Sequence, residues 1–178
     1  MLGFNNGSLV NLGVELQLSQ QVSTYSEFGV YIPFSTTKHR TGQHGFMIKE
    51  EFKLYTGDDL FWSVEFCYSS STYFRTDTID LSIGSQINRY EKKYAVSRSF
   101  PGISVHVGER KLINKKIVIE YFTGAGIRFN TVSCDLDKSE ALSRDLGDWT
   151  VPANYIERCG NNVIPKFYLG FNIGYVII

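Results

Sequence analysis

The 178-residue chain contains no apolar run approaching the roughly 18 residues that a membrane-spanning helix needs, which excludes a helical membrane protein. It has only four prolines and three cysteines. Cys67, Cys134 and Cys159 are too few and too scattered for a disulfide framework or a spaced zinc site. Neither sign of charge is in excess: 18 basic and 18 acidic residues cancel, so bulk electrostatics favour neither nucleic acid nor an anionic surface as partner. The first residues, Met1-Leu2-Gly3-Phe4-Asn5-Asn6-Gly7, lack the basic and apolar regions of a signal peptide. If the protein is exported, its export signal lies outside this sequence.

What the chain does have is period-two alternation. Along residues 117 to 130, Ile117, Ile119, Tyr121, Ile127 and Phe129 share one face, while Glu120, Gly124, Gly126, Arg128 and Asn130 share the other. That is strand periodicity with a greasy side and a charged, glycine-rich side. Six further segments repeat it, at 9–19, 22–33, 45–55, 60–70, 102–112 and 166–178. No segment keeps a helical period over a useful length, and 43% hydrophobic content suits one β domain spanning 1–178.

Connections alternate in length. Short turns fall near residues 20, 57 and 114, whereas polar links cover 34–44, 71–101 and 131–165. Strands of about 9 to 11 residues with tight turns at one end and long loops at the other match a transmembrane β-barrel. The last link, with Ala141, Leu142, Leu146 and Trp149, has room for a short helical turn. Cys134 and Cys159 bracket that link and are candidates for a loop disulfide, although unpaired thiols are the simpler expectation.

Alternation alone does not say which face points inward. A lipocalin-like barrel or a sandwich would bury the apolar side and bind an apolar ligand there. The glycines argue otherwise, because Gly13, Gly29, Gly45, Gly102, Gly108, Gly124, Gly126, Gly170 and Gly174 all occupy the polar face. A solvated face has no reason to collect a residue that weakens strands, whereas a narrow bore needs space for long side chains.

The polar face is therefore read as a lumen plugged by an ion-pair network of Glu15, Glu27, Lys49, Glu51, Lys53, Glu65, Arg110, Glu120, Arg128 and Lys166. The opposite face, with Leu12, Val14, Leu16, Phe52, Trp62, Val64, Phe66, Val105, Ile119, Tyr121, Ile127, Phe171, Ile173 and Tyr175, is expected to meet lipid. Glu50 and Glu109 fall on that side and have no place in a lipid face on this register.

The motifs Asn11-Leu12-Gly13-Val14-Glu15-Leu16, Glu51-x-Lys53-x-Tyr55, Ile119-Glu120-Tyr121 followed by Gly124-x-Gly126, and Leu169-Gly170-Phe171-Asn172-Ile173-Gly174-Tyr175 cover most of the strand region. Together they resemble the small outer-membrane β-barrel proteins of largely unknown function common in Bacteroidota. The resemblance implies an all-β, antiparallel up-and-down transmembrane barrel of about eight strands, an exported precursor and no established catalytic residues. The closing Val176-Ile177-Ile178 departs from the terminal aromatic common in outer-membrane barrels.

Seven strands are legible and single-chain barrels usually have an even number. The first strand is then truncated, stunted within residues 1 to 8, supplied by another chain, or hidden in 71–101, where 78–83 and 90–97 alternate weakly.

No catalytic, cofactor or metal residues are assigned. His39 and His44 sit in one link with no ligand partners at metal spacing. Ser104 and His106, two apart on one face, are the only pair that suggests a nucleophile and base, for a lipid-modifying enzyme. The expected role is structural or accessory, with outer-membrane lipid and a larger outer-membrane complex as partners and no nucleic acid.

Overall fold

The computed structural model describes residues 8–32, 40–57, 59–83, 86–113, 116–136, 140–142 and 159–176. Its strands are β1 (Ser8–Gln17), β2 (Val22–Ile32), β3 (Arg40–Thr56), β4 (Leu60–Ile83), β5 (Gln86–Ile113), β6 (Ile117–Cys134), β7 (Glu140–Leu142) and β8 (Gly160–Tyr175). The long strands form one up-and-down antiparallel sheet in the order β1-β2-β3-β4-β5-β6-β8, with β7 paired to β4. Among the described residues β1 pairs only with β2 and β8 only with β6, so the sheet is not closed into a barrel.

Residues 71–101 are not a loop. Ser71 to Ile83 and Gln86 to Phe100 continue β4 and β5 as the arms of one hairpin, in unbroken register from Leu60↔Glu109 to Ile83↔Gln86. The weak alternation at 78–83 and 90–97 lengthens two existing strands and adds none. β6 reaches Cys134, and β8 begins at Gly160, six residues before the expected start. Ala141 and Leu142 lie in β7 and not in a helical turn, while Leu146 and Trp149 lie outside the described residues. Cys134 and Cys159 are joined as a disulfide, in place of the unpaired thiols that were the simpler expectation, and Cys67 is free.

The tight ends are closed by local bonds. Leu18 and Ser19 N–H both donate to the Val22 carbonyl, and Gly57 turns with φ 88°, in the left-handed region that glycine adopts without a Cβ penalty.

The two faces exchange character along the hairpin. On the outer face of β4, Leu60, Trp62, Val64, Phe66 and Tyr68 are followed by Ser70, Thr72, Phe74, Thr76 and Thr78. On the inner face Phe61, Ser63, Glu65, Cys67, Ser69 and Ser71 give way to Tyr73 and Ile79, which are fully buried. Tyr73, Ile79, Tyr94, Val96 and Val132 form a small apolar cluster there, with Cys134 and Leu136 against it. The hairpin tip thus holds an apolar cluster inside beside the Arg75–Asp77 ion pair, whereas the lower sheet keeps its charges inside and its large apolar side chains outside.

The boundary is level across β4, β5 and β6. Ser70 pairs with Ser99 and Ser99 with Thr131; one outer row higher, Thr72 pairs with Ser97 and Ser97 with Ser133. Thr72 and Ser97 hydroxyls lie 3.2 Å apart. Below this hydroxyl double row the outer face is mainly apolar, with Thr24, Ser26 and Glu50 as a polar group on β2 and β3.

Candidate functional site: the polar concave face

Which side of the sheet is concave is settled by ion pairs between distant strands. Four inter-strand spacings, about 19 Å in a flat sheet, separate β1 from β5. Yet Glu15 Oε1 on β1 is 3.0 Å from Arg110 Nη2 on β5. Tyr31 on β2 likewise donates to the Ser69 hydroxyl on β4 at 3.4 Å. The sheet curls around its polar face, and that face is the inside.

Two clusters fill it. In the lower one, Lys53 Nζ lies 3.0 Å from Glu15 and 2.7 Å from Glu120, and Arg110 reaches Glu120 at 3.5 Å. Tyr55 donates to Glu15 at 2.8 Å and accepts from Arg110 at 2.6 Å, while Ser23 donates to Glu15 at 2.7 Å. Asn172 on β8 donates to Glu120 at 3.4 Å. In the upper cluster, Lys49 lies 2.8 Å from Glu27 and 3.6 Å from Glu65. Glu27 also accepts from Tyr25 at 2.9 Å and from Asn11. Glu51 sits between the clusters, receiving the Ser63 hydroxyl at 2.5 Å with His106 Nδ1 at 3.6 Å.

Register explains the meeting of residues far apart in sequence. Glu15, Tyr25, Glu51, Glu65, Ser104, Gly126 and Lys166 are successive partners across all seven long strands. Glu15 nevertheless meets Arg110, which pairs with Glu120 several rows lower, so contacts across the concave face are staggered along the strands. Glycine supplies room. A Cβ at Gly13 would collide with the Tyr25 ring, and one at Gly124 with the His106 ring.

Eight of the ten proposed network residues are thereby joined. Arg128 and Lys166 share the concave face but, among the described residues, neither has a carboxylate within ion-pair distance. The Arg128 guanidinium lies against the Phe100 ring, 5.6 Å from its centroid, and Lys166 is half-buried on edge strand β8. Their expected place in the network is corrected by the stagger, which carries their level away from the acidic rows. Sequence reasoning missed Tyr25, Tyr55, Ser23, Ser63, His106, Asn11 and Asn172 as network members; their period-two positions on the polar face were the available signal.

The outer face is apolar and exposed. Leu12 is 82% exposed, and Phe167 and Leu169 are each 87% exposed. Thirty-two exposed large hydrophobics stand against ten buried ones among the described residues, the inverse of a water-soluble domain. Of the residues expected on this face, all are exposed except Ile119, which is half-buried.

Glu50 also points outward, in continuous register with no bulge beside it, and is satisfied locally: Thr24 donates at 2.5 Å and Ser26 at 2.6 Å. Glu109 lies at the lower rim, 3.0 Å from Lys111. A groove of about 590 Å³ beside Tyr121, Leu169 and Phe171 lies on the outer side too.

Among the described contacts Ser104 and His106 bond other partners and not each other. The Ser104 hydroxyl donates to Glu65 at 3.3 Å, and both residues are buried. His44 contacts the Gly42 carbonyl at 3.1 Å, and His39 lies outside the described residues. No protein-family model, curated protein or solved structure matches the chain.

Proposed function

We propose that this chain is a transmembrane β-barrel subunit of a bacterial outer membrane, with a bore plugged by ion pairs and a structural or accessory role beside a larger outer-membrane assembly. The observation that carries the reading is the inversion of faces at one level. Below the hydroxyl rows of β4, β5 and β6 the outside is mainly apolar and the inside charged; above them an apolar cluster lies inside beside one ion pair. On β4 the apolar outer stretch from Leu60 to Tyr68 covers nine residues, about the length a tilted strand needs to cross a bilayer.

The plugged bore argues for a scaffold over a channel. The concave face carries charge and hydrogen bonds where a lipocalin-like protein would keep an apolar cavity, which disfavours the soluble ligand-binding alternative. The Cys134–Cys159 disulfide accords with an oxidising compartment outside the cytosol. Outer-membrane lipid is the partner of the outer face, and a lipid-modifying enzyme remains the third reading, whose candidate pair Ser104 and His106 is buried.

The test is refolding of the full chain into neutral detergent micelles. A heat-modifiable shift in gel mobility and aggregation on detergent removal are expected. Monodisperse protein in plain buffer would overturn the proposal. A mild-detergent pull-down from the native membrane then identifies the assembly.

A further inference from the structure

We infer that the outer face of β2 and β3 around Glu50 is the surface by which this chain sits against a neighbouring membrane protein, and that the neighbour presents a Lys or Arg side chain to Glu50. The inference rests on the membrane reading above and adds to it the face that docks and the charge it meets.

Position sets the problem. Glu50 faces outward, level with Ser26 on β2 and Phe66 on β4. Phe66 lies one outer position above Val64, the centre of the apolar stretch on β4, and the hydroxyl row at Ser70 is four residues farther on. That is roughly 13 Å along the strand. In the other direction β3 runs six more residues to Thr56, about 20 Å. Phe28, Ile48, Phe52 and Phe66 surround Glu50 on this face, each about half exposed. The carboxylate stands inside the apolar belt and not at its rim.

Its hydrogen bonds do not remove its charge. Thr24 donates to Oε1 and Ser26 to Oε2, which makes a polar patch of three side chains on two adjoining strands. An ionised carboxylate offers about four acceptor positions, so two neutral hydroxyls leave some open and cancel no charge. An ionisable group at such a depth is costly against lipid and pairs with another polar group.

The occupant follows from what can bring a cation to that level. Phospholipid ammonium groups stay with the headgroups at the edge of the belt, and acyl chains carry no donor. A calcium ion takes six or more oxygen ligands, and one carboxylate with two hydroxyls falls short of that in hydrocarbon.

A second copy of this chain does not serve either. Among the described residues the outer face of the belt carries no Lys or Arg, and Lys111, which faces outward below it at the lower rim, is 3.0 Å from Glu109. Two copies docked by this face would set carboxylate against carboxylate. A different protein wall with Lys or Arg supplies the charge, because the long stem of either side chain lies along apolar surface while its head reaches the carboxylate.

The experiment uses the full chain refolded in lipid vesicles and dye-labelled, leucine-rich peptides of about twenty residues that span the bilayer as helices. One peptide has Lys at its centre, a second has Leu there, a third has Glu there, and a fourth has its Lys at one end, at headgroup depth. A central residue keeps its depth whichever way the peptide inserts. The central-Lys peptide is expected to bind roughly tenfold more tightly than the other three. In Glu50→Gln that preference should shrink to about twofold or less, and in Glu50→Lys the central-Glu peptide should become the tightest. Comparing the peptides on the unmodified chain tests both charge and depth, should the variants fail to fold.

Equal binding of all the peptides, no binding, equal binding of the two Lys peptides, or a preference that survives Glu50→Gln would overturn the inference. So would self-association of the unmodified chain that Glu50→Gln abolishes, since a second copy would then be the occupant. The heat-modifiable shift of the chain without peptide reads the membrane proposal separately: a chain that shows the shift and no preference for central Lys fails this inference alone.

Discussion

Lys53 on β3 and Glu120 on β6 meet at 2.7 Å, both almost fully buried, although three strand spacings separate their backbones. The pair exists only because the sheet curls around its charged face, so its strength reports on that curvature. Lys53→Met removes the more deeply buried of the two cations that Glu15 and Glu120 share and leaves Arg110 alone between them. A loss of about 3–5 kcal/mol is expected, the cost of breaking a buried pair by removing one partner. Urea unfolding of the refolded protein measures it, and a loss under 1 kcal/mol would show that water reaches the cluster.

Gly124 is needed because the His106 ring occupies the space where its side chain would be. Gly124→Val should destabilise by roughly 1–3 kcal/mol through overpacking. Gly174 has its nearest neighbour, Val118 Cβ, at 3.9 Å, so Gly174→Ala should change stability little. Equal effects of the two substitutions would contradict the crowded bore.

Val64 lies at the middle of the apolar stretch on β4, and Thr72 lies in the upper hydroxyl row. If the outer face meets lipid, Val64→Arg costs about 2–4 kcal/mol, the depth-dependent penalty of a cation on a barrel's lipid face. Thr72→Arg should stay within about 0.5 kcal/mol, as surface changes do. Stability measured in vesicles compares them; a harmless Val64→Arg would count against membrane insertion.

Above the boundary, Tyr94 donates to Asp77 Oδ2 at 2.6 Å. Burial, reinforced by the bonded Asp77 carboxylate, pushes its phenol well above the ordinary tyrosine range. A raised folded value favours the protonated form in the native state. Its contribution is therefore whole below the unfolded value of roughly 10 and is lost as pH rises beyond it. Amide protection at the hairpin tip, taken relative to the intrinsic exchange rate at each pH, should fall above pH 10, and in Tyr94→Phe that alkaline fall should be absent.

Much of this architecture is legible from residue order. Seven strands, their turns and the inward glycines follow from period-two alternation, because one face must be crowded and the other apolar. The hairpin beyond residue 70 was hidden for a physical reason. Ser69-Ser70-Ser71-Thr72 has loop composition, and after it the greasy side chains Tyr73 and Ile79 turn inward, so the pattern reverses without the backbone ending. The upper arm of β8 was obscured by Asn161, Asn162 and Pro165, residues poor in strand propensity. Arg128 and Lys166 match the network by face alone; their separation from it depends on stagger between strands, a property of closure that a one-dimensional alternation does not encode.

The Cys134–Cys159 disulfide joins the upper ends of β6 and β8 across a sequence separation of 25. Both strands are thereby tied twice, by their hydrogen-bonded ladder and by a covalent link that bypasses everything between the two cysteines. A protease cut at any single bond in that interval leaves one molecule. The nicked protein runs as a single species until reductant is added and then separates into a long amino-terminal piece and a short one carrying β8.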